Sequence, residues 1–324
     1  MRPLIAGTRG SALALWQTEH AVATLRSAAL SRGVTLEFTV KKITTRGDTD
    51  QSPVLAGKLG KGFFTLELEA ALRARDIDFA VHSLKDLPTI PAADLAIGAI
   101  LERGPPQDLL IARPEAVKET NDGQLPLMQG AKVGSSSLRR QALLARYAPG
   151  VSAEPLRGNV PTRLTKLGKG QYQAIVLAAA GVERLELDLT PFAVFDLNPR
   201  VWIPAPGQGA VAIQCRDQDH ELEALLSVVT HRATADDTAL ERLYLQRLEG
   251  GCTTPFGCFA AGTDLCLGLD AHGGWKRAIA RRAAAGDAAG HAKIASLLDT
   301  MQTAGFRESA YKDWLYRPHR KSEG

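Results

Sequence analysis

Leu4-Ile5-Ala6-Gly7-Thr8-Arg9-Gly10-Ser11 is a short apolar run, a glycine turn and a serine placed ahead of Ala12-Leu13-Ala14-Leu15. That order reads as strand, turn and helix, with Ser11 capping a helix that runs to about Arg26. The device restarts at Lys132-Val133-Gly134-Ser135-Ser136-Ser137, which leads into a helix from Leu138 to about Tyr147. Between the two, Leu36 to Val40 alternates as a strand, and Phe64, Leu68 and Leu72 recur every four residues, predicting a helix over 63–75. Ile77 to Val81 reads as a buried strand that ends at His82-Ser83-Leu84-Lys85-Asp86, where Pro88 and Pro91 stop regular structure. Ala174–Ala178 and Val211–Cys215 read as further strands, and helices are expected near 161–168, before Glu249 and over 288–304. Such alternation implies α/β domains with largely parallel sheets.

Two breaks interrupt the pattern, at Gly104-Pro105-Pro106 and at Pro204-Ala205-Pro206-Gly207-Gln208-Gly209. They suggest a bilobed protein in which the second break returns the chain to the first lobe. The expected division is residues 1–102 plus 204–228, residues 103–203, and an α+β region over 229–324. In open α/β sheets ligands sit at the carboxyl ends of strands, and the motif loops all fall at such ends.

The 324 residues are 45% hydrophobic and 23% charged, the composition of a soluble globular protein. Four cysteines are too few for a disulfide framework, and no C-x-x-C or H-E-x-x-H spacing occurs, so no metal site is expected. Neither a signal peptide nor an apolar run long enough to span a membrane is present, so a cytoplasmic protein is expected. Net charge is only +4, but between Gly134 and Gly170 seven basic residues face the single acid Glu154. That patch favours an anionic partner. With Tyr147 as its one aromatic it lacks the stacking surface of a nucleic-acid groove, and a small polycarboxylate fits better.

Four groups could do chemistry. Ser135, Ser136 and Ser137 at a helix start, with Arg139, Arg140, Arg157 and Arg163, form a candidate anion site; an ordinary serine cap with solvated arginines is the alternative. Arg9 and Ser11 repeat it in the first lobe. Asp86, after a buried strand, is placed to be desolvated and to stabilise a cation or move protons, or else simply to cap a turn. Cys252, in Glu249-Gly250-Gly251-Cys252-Thr253-Thr254-Pro255, sits in a turn that presents a side chain outward, as a covalent nucleophile requires. Cys258 is taken as structural.

These motifs, with Thr45-Arg46-Gly47-Asp48, Gly60-Lys61-Gly62-Phe63-Phe64, Leu156-Arg157-Gly158-Asn159 and Pro206-Gly207-Gln208-Gly209, resemble the porphobilinogen deaminase (hydroxymethylbilane synthase) family from residue 4 to about 260. The resemblance implies two domains like periplasmic binding proteins or transferrins and a small α+β third. It implies a transferase of tetrapyrrole (haem, porphyrin) biosynthesis with a dipyrromethane cofactor joined by a thioether to Cys252. Four porphobilinogen molecules are added with loss of ammonia, and hydrolysis releases hydroxymethylbilane. Asp86 would hold pyrrole N–H groups and stabilise the electron-poor azafulvene. Arg9, Ser11, Ser135, Ser136, Ser137, Arg139, Arg140, Arg157 and Arg163 would pair the substrate's acetates and propionates, and Ser83 and Lys85 those of the cofactor. Lys61 and Phe64 would help close the site, and Gln208 would lie near a hinge. Ser135 stands where many members have threonine, and the loop before Lys61 shifts a lysine, which leaves the role of Lys58 open. A monomer with no nucleic-acid or membrane partner is expected. The competing classes are a non-catalytic bilobed anion-binding module and a thiol hydrolase pairing Cys252 with a histidine.

Overall fold

A computed structural model describes residues 3–45, 65–119, 123–249, 255–272, 274–303, 306 and 313–319. The chain forms two compact units, one of residues 1–104 with 207–239, the other of residues 105–206 with 240–324.

The strands of the first unit are β1 (Leu4–Thr8), β2 (Phe38–Lys42), β3 (Phe79–Ser83), β4 (Leu95–Ile100) and β10 (Val211–Arg216). They form a five-stranded sheet of order β2-β1-β3-β10-β4. β1 runs parallel to β2 and β3, but β10 is antiparallel to both its neighbours. The expectation of largely parallel sheets is therefore corrected to mixed ones. A strand that re-enters a sheet after a long excursion is not bound by the crossover that makes neighbouring βαβ strands parallel. Phe79, Val81, Val211 and Ile213 are buried together, each worth about 1.5–3 kcal/mol of transfer free energy. Helix α1 (Ala12–Leu30) joins that core through Ala21, Val22 and Leu25, and Ser11 caps it by accepting from the Ala14 N–H at 3.3 Å. The helix expected over 63–75 is the shorter α2 (Leu66–Arg73).

The second unit holds two sheets. The larger comprises β5 (Asp108–Ala112), β6 (Lys132–Gly134), β7 (Ser152–Glu154), β8 (Ala174–Ala178), β9 (Ala193–Leu197) and β14 (Tyr316–Pro318), in the order β14-β9-β5-β8-β6-β7. Only the β8-β6-β7 end is parallel. Helix α3 (Leu138–Tyr147) follows β6, α4 (Val160–Gly168) starts at the cap Asn159, and the short α5 (Ala179–Arg184) follows β8. In the first unit α6 (His220–Ser227) follows β10 and adds Leu222 and Leu226 to the core of the five-stranded sheet.

The smaller sheet is antiparallel: β11 (Phe256–Ala261), β12 (Asp264–Asp270) and β13 (Trp275–Arg281). It shares an apolar core with Leu240, Tyr244 and Leu245 of α7 (Arg232–Glu249) and with Ile294, Leu298 and Met301 of α8 (Ala288–Met301). Gly257 is required there: a Cβ would lie 2.7 Å from the Ile203 carbonyl oxygen. The edge strand β14 went unseen in the sequence. Leu315 buries beside it in the core of the six-stranded sheet, and His319 Nδ1 stands 3.0 Å from Asp196. No helix among the described residues is long and apolar enough to cross a membrane.

Candidate functional site

In the first unit a cleft of about 100 Å³ opens at the carboxyl end of β3, lined by residues that include Arg9, Ser11, Gln17, His82, Ser83 and Asp86. Four of the expected site residues of the first lobe, Arg9, Ser11, Ser83 and Asp86, thus share one cleft. Strand β3 ends in a 3-10 turn over Leu84–Asp86, held by the Leu84 N–H to the Ala210 carbonyl at 3.0 Å. The turn rests on Gly207, whose φ of 73° only glycine adopts readily and whose missing Cβ leaves room for Leu84. Asp86 is exposed and makes no hydrogen bond or ion pair among the described residues. This corrects the expectation of a desolvated carboxylate, because the 3-10 turn buries Leu84 and leaves Asp86 exposed.

Lys85 Nζ donates to Gln208 Oε1 at 3.4 Å, and the Gln208 carbonyl accepts from Arg103 Nε at 2.8 Å. Gln208 is fully buried, so it braces this turn from below. Ser83 is engaged by Gln17: Gln17 Nε2 donates to its Oγ at 2.9 Å, and the hydroxyl donates to Gln17 Oε1 at 3.2 Å. Gln17 was not singled out from sequence, since a glutamine within an apolar helix carries no signal until its partner is known.

His82 is buried, and burial pushes its pKa down to about 4; the Gln214 side chain opposes that shift and the Arg9 charge adds to it. The sign follows. Between about pH 6.5 and 4 the unfolded chain takes a proton that the folded imidazole refuses, so stability is lost as pH falls through that window. The wild type should lose stability steeply there in urea melts, by up to about 3 kcal/mol from this group, and His82→Gln should flatten the profile. An unchanged slope in the variant would remove His82 as the cause.

The second unit presents the other candidate. Ser137 caps α3 through the Arg140 N–H, and Ser135 Oγ, buried, accepts from the Ser137 N–H at 3.3 Å. Ser136 Oγ both donates to the Leu156 carbonyl and accepts from the Leu156 N–H, each at 3.0 Å, pinning the loop that bears Arg157. Arg163 Nε reaches the Gly158 carbonyl at 2.8 Å. Arg157, on that loop, and Arg163, in the first turn of α4, are both half-buried.

Arg139 and Arg140 are not in that position. Both are buried on Asp108, which is itself inaccessible. Arg139 Nη2 donates to Asp108 Oδ2 at 2.9 Å, and Arg140 grips the carboxylate twice, at 3.1 and 2.7 Å. Trp202 Nε1 adds a bond at 3.0 Å. The remaining contacts go to backbone, Arg139 Nη1 to the Ile203 carbonyl at 2.8 Å and Arg140 Nη1 to that of Val176 at 3.0 Å. The expectation that both guanidiniums face a ligand is corrected accordingly. Burial pushes the Asp108 carboxyl up, but Arg140 and Arg139 outweigh it and hold it well below the usual carboxylate range. Burial pushes the Arg139 pKa down, and the neighbouring Arg140 adds to that. Sequence reasoning missed Asp108 because it opens an apolar strand with no motif around it.

Cys252, Lys61, Phe64 and the Thr45–Asp48 motif from Arg46 onward lie outside the described residues. Cys215, Cys258 and Cys266 are buried free thiols, and burial pushes Cys215 and Cys266 up to about 12.

The described residues form mixed α/β units and a C-terminal β-rich segment. The family described as "Porphobilinogen deaminase, dipyromethane cofactor binding domain" matches residues 4–224. The chain is 41% identical to a porphobilinogen deaminase of Paenibacillus macerans over 80% of this chain and 78% of that one. It is 44% identical to one of Xanthomonas campestris pv. campestris over 82% and 84%. Among solved structures it is similar to an arginine-transport periplasmic binding protein of Legionella pneumophila, at 14% identity and TM-score 0.40, over 76% of this chain and 99% of that one. The chain belongs to the porphobilinogen deaminase family: transferases that condense porphobilinogen stepwise on a covalent dipyrromethane and release the tetrapyrrole by hydrolysis.

Proposed function

We propose that Cys252 bears the dipyrromethane and that the cleft at the end of β3 is where porphobilinogen condenses. The observation that carries this reading is the company of Asp86: an exposed carboxylate, with no hydrogen bond or ion pair among the described residues, in one small cleft with Arg9. Such a pair suits an acidic pyrrole, which offers carboxylates to a cation and N–H groups to a carboxylate. When bound, the cofactor would supply the free pyrrole carbon to which the first unit is joined, later units joining the end of the growing chain. Asp86 accepts N–H bonds and stabilises positive charge that develops as ammonia leaves the substrate. Arg9, Ser11 and Lys85 serve carboxylates in the first unit, and Arg157 and Arg163 do so in the second. Ser135, Ser136 and Ser137 hold the helix start and loop that place them. Cys252 is further supported by the burial of the other three cysteines, since the thiolate is the reactive form.

The separate core of the three-stranded sheet supports a third domain around that cysteine. The reading includes a cytoplasmic monomer with neither nucleic acid nor membrane as partner. Its test is intact mass. The purified protein should exceed its sequence mass by one dipyrromethane, and Cys252→Ala should lack the excess and the activity. A fully active enzyme of unmodified mass would overturn it.

A further inference from the structure

Within the second unit the turn from Asn198 to Pro204 is held from three sides. Its own frame is Asn198, whose carbonyl accepts from the Trp202 N–H at 2.7 Å and whose Oδ1 accepts from the Arg200 N–H at 3.0 Å. On the first side Trp202 and the Ile203 carbonyl engage Asp108 and Arg139. On the second lies the three-stranded sheet: the Cys258 N–H donates to the Pro204 carbonyl at 3.1 Å, and Arg200 pairs with Asp264 at 2.9 Å. Cys266 and Trp275 of that sheet bury in the same core as Trp202.

The third side is the C-terminal segment. Asn198 N–H donates to the Leu315 carbonyl at 2.9 Å, and Asn198 Nδ2 to the Trp314 carbonyl at 2.8 Å. From there β14 runs along β9 to His319, whose N–H reaches the Val194 carbonyl at 2.8 Å. His319 Nδ1 stands 3.0 Å from Asp196 Oδ2, and a carboxylate only accepts, so this nitrogen donates. Asn198 is 4% exposed. Without the segment two of its donors would be buried with no acceptor, a cost that the turn relieves only by moving. The segment also lies beyond the residues 4–224 matched by the family model.

We propose that the C-terminal strand is a strap that positions the cofactor-bearing sheet. By giving acceptors to Asn198 it fixes the 198–204 turn, and that turn seats the three-stranded sheet against the Asp108 cluster. The inference rests on the reading of Cys252 as the attachment point, since β11 begins four residues after it. Asn198 and His319 are positioning residues, acting through the turn and touching no substrate.

The test is hydrogen exchange on the full-length holoenzyme, read by mass spectrometry, beside intact mass, kcat and KM. Asn198→Asp keeps the acceptor for the Arg200 N–H but turns the atom facing the Trp314 carbonyl from donor to acceptor. His319→Ala loosens the strand from its far end, and both variants leave Leu315 in the core. Each should speed exchange over 313–319 roughly tenfold, the worth of one hydrogen bond. Exchange over 198–206 and 256–261 should rise with it, while peptides of β1 to β4 stay unchanged. The variants should keep the dipyrromethane mass and KM but lose roughly tenfold in kcat, because a cofactor attached but out of register reacts slowly. His319→Asn should restore all of these, since its amide nitrogen can take the place of Nδ1. Should Asn198→Asp not fold, the two His319 variants decide alone. Faster exchange in 313–319 with none in 198–206 and 256–261 would overturn the proposal, reducing the strand to a cover for the β9 edge. Unchanged exchange in 313–319, or unchanged kcat, overturns it as well. A wild type of unmodified mass would instead sink the cofactor reading, and with it the cargo assigned to this sheet, whatever the exchange rates.

Discussion

Asp86→Asn is expected to fold normally, to keep its KM for porphobilinogen within a few-fold, and to lose about 10²–10³ in kcat. Folding should survive because the turn is held by backbone bonds, Leu84 N–H to Ala210 at 3.0 Å and Leu87 N–H to Leu84 at 3.2 Å, with no contribution from the carboxylate. Asparagine keeps the shape and one acceptor oxygen but removes the charge. The size of the loss is informative because Asp86 is exposed. Two charges about 4 Å apart interact by only about 1 kcal/mol in bulk water, but by about 4 kcal/mol where the effective dielectric is near 20. A loss of 10²–10³ corresponds to about 2.7–4 kcal/mol, so it requires that bound substrate displace water from around the carboxylate. A loss of only about fivefold would place Asp86 in a wet site. Near-normal turnover would end its assignment to the developing cation.

Asp108→Asn is expected to cost about 3–5 kcal/mol of stability, read from urea or thermal unfolding. The substitution leaves two buried guanidiniums facing each other with no counter-charge. Arg139→Leu should cost less, because Arg140 and Asp108 remain as a balanced pair joined by two hydrogen bonds. The order of the two variants is itself the test. If Asp108→Asn costs less than about 1 kcal/mol, the cluster is not a structural anchor. If Arg139→Leu leaves stability untouched and weakens substrate binding alone, the ligand-pairing role expected from sequence is restored.

The cluster also shows where sequence legibility stopped. Gly134-Ser135-Ser136-Ser137-Leu138-Arg139-Arg140 was read correctly as strand, cap and helix, since capping and periodicity are local properties. The same stretch could not say which way Arg139 and Arg140 point. That depends on Asp108, some thirty residues away in sequence, and on Trp202 from a later loop. Ser83 is a similar case. Its place at the end of β3 was legible, but its hydrogen-bond partner Gln17 lies 66 positions earlier. Asp86 was found by its position after a buried strand, but its exposure depends on the turn over Gly207.

The motif order from residue 4 onward fixed the family, the alternation of strands and helices, and the list of chemically able residues, because these rest on neighbours within a few positions along the chain. Tertiary structure alone decided the mixed sheets, the re-entry of β10 between β3 and β4, and the docking of β14 on β9. It also decided which cations are spent inside the protein. Hydrogen bonds and ion pairs are fixed by proximity in space, and a folded chain brings together groups whose separation in sequence carries no trace of the encounter.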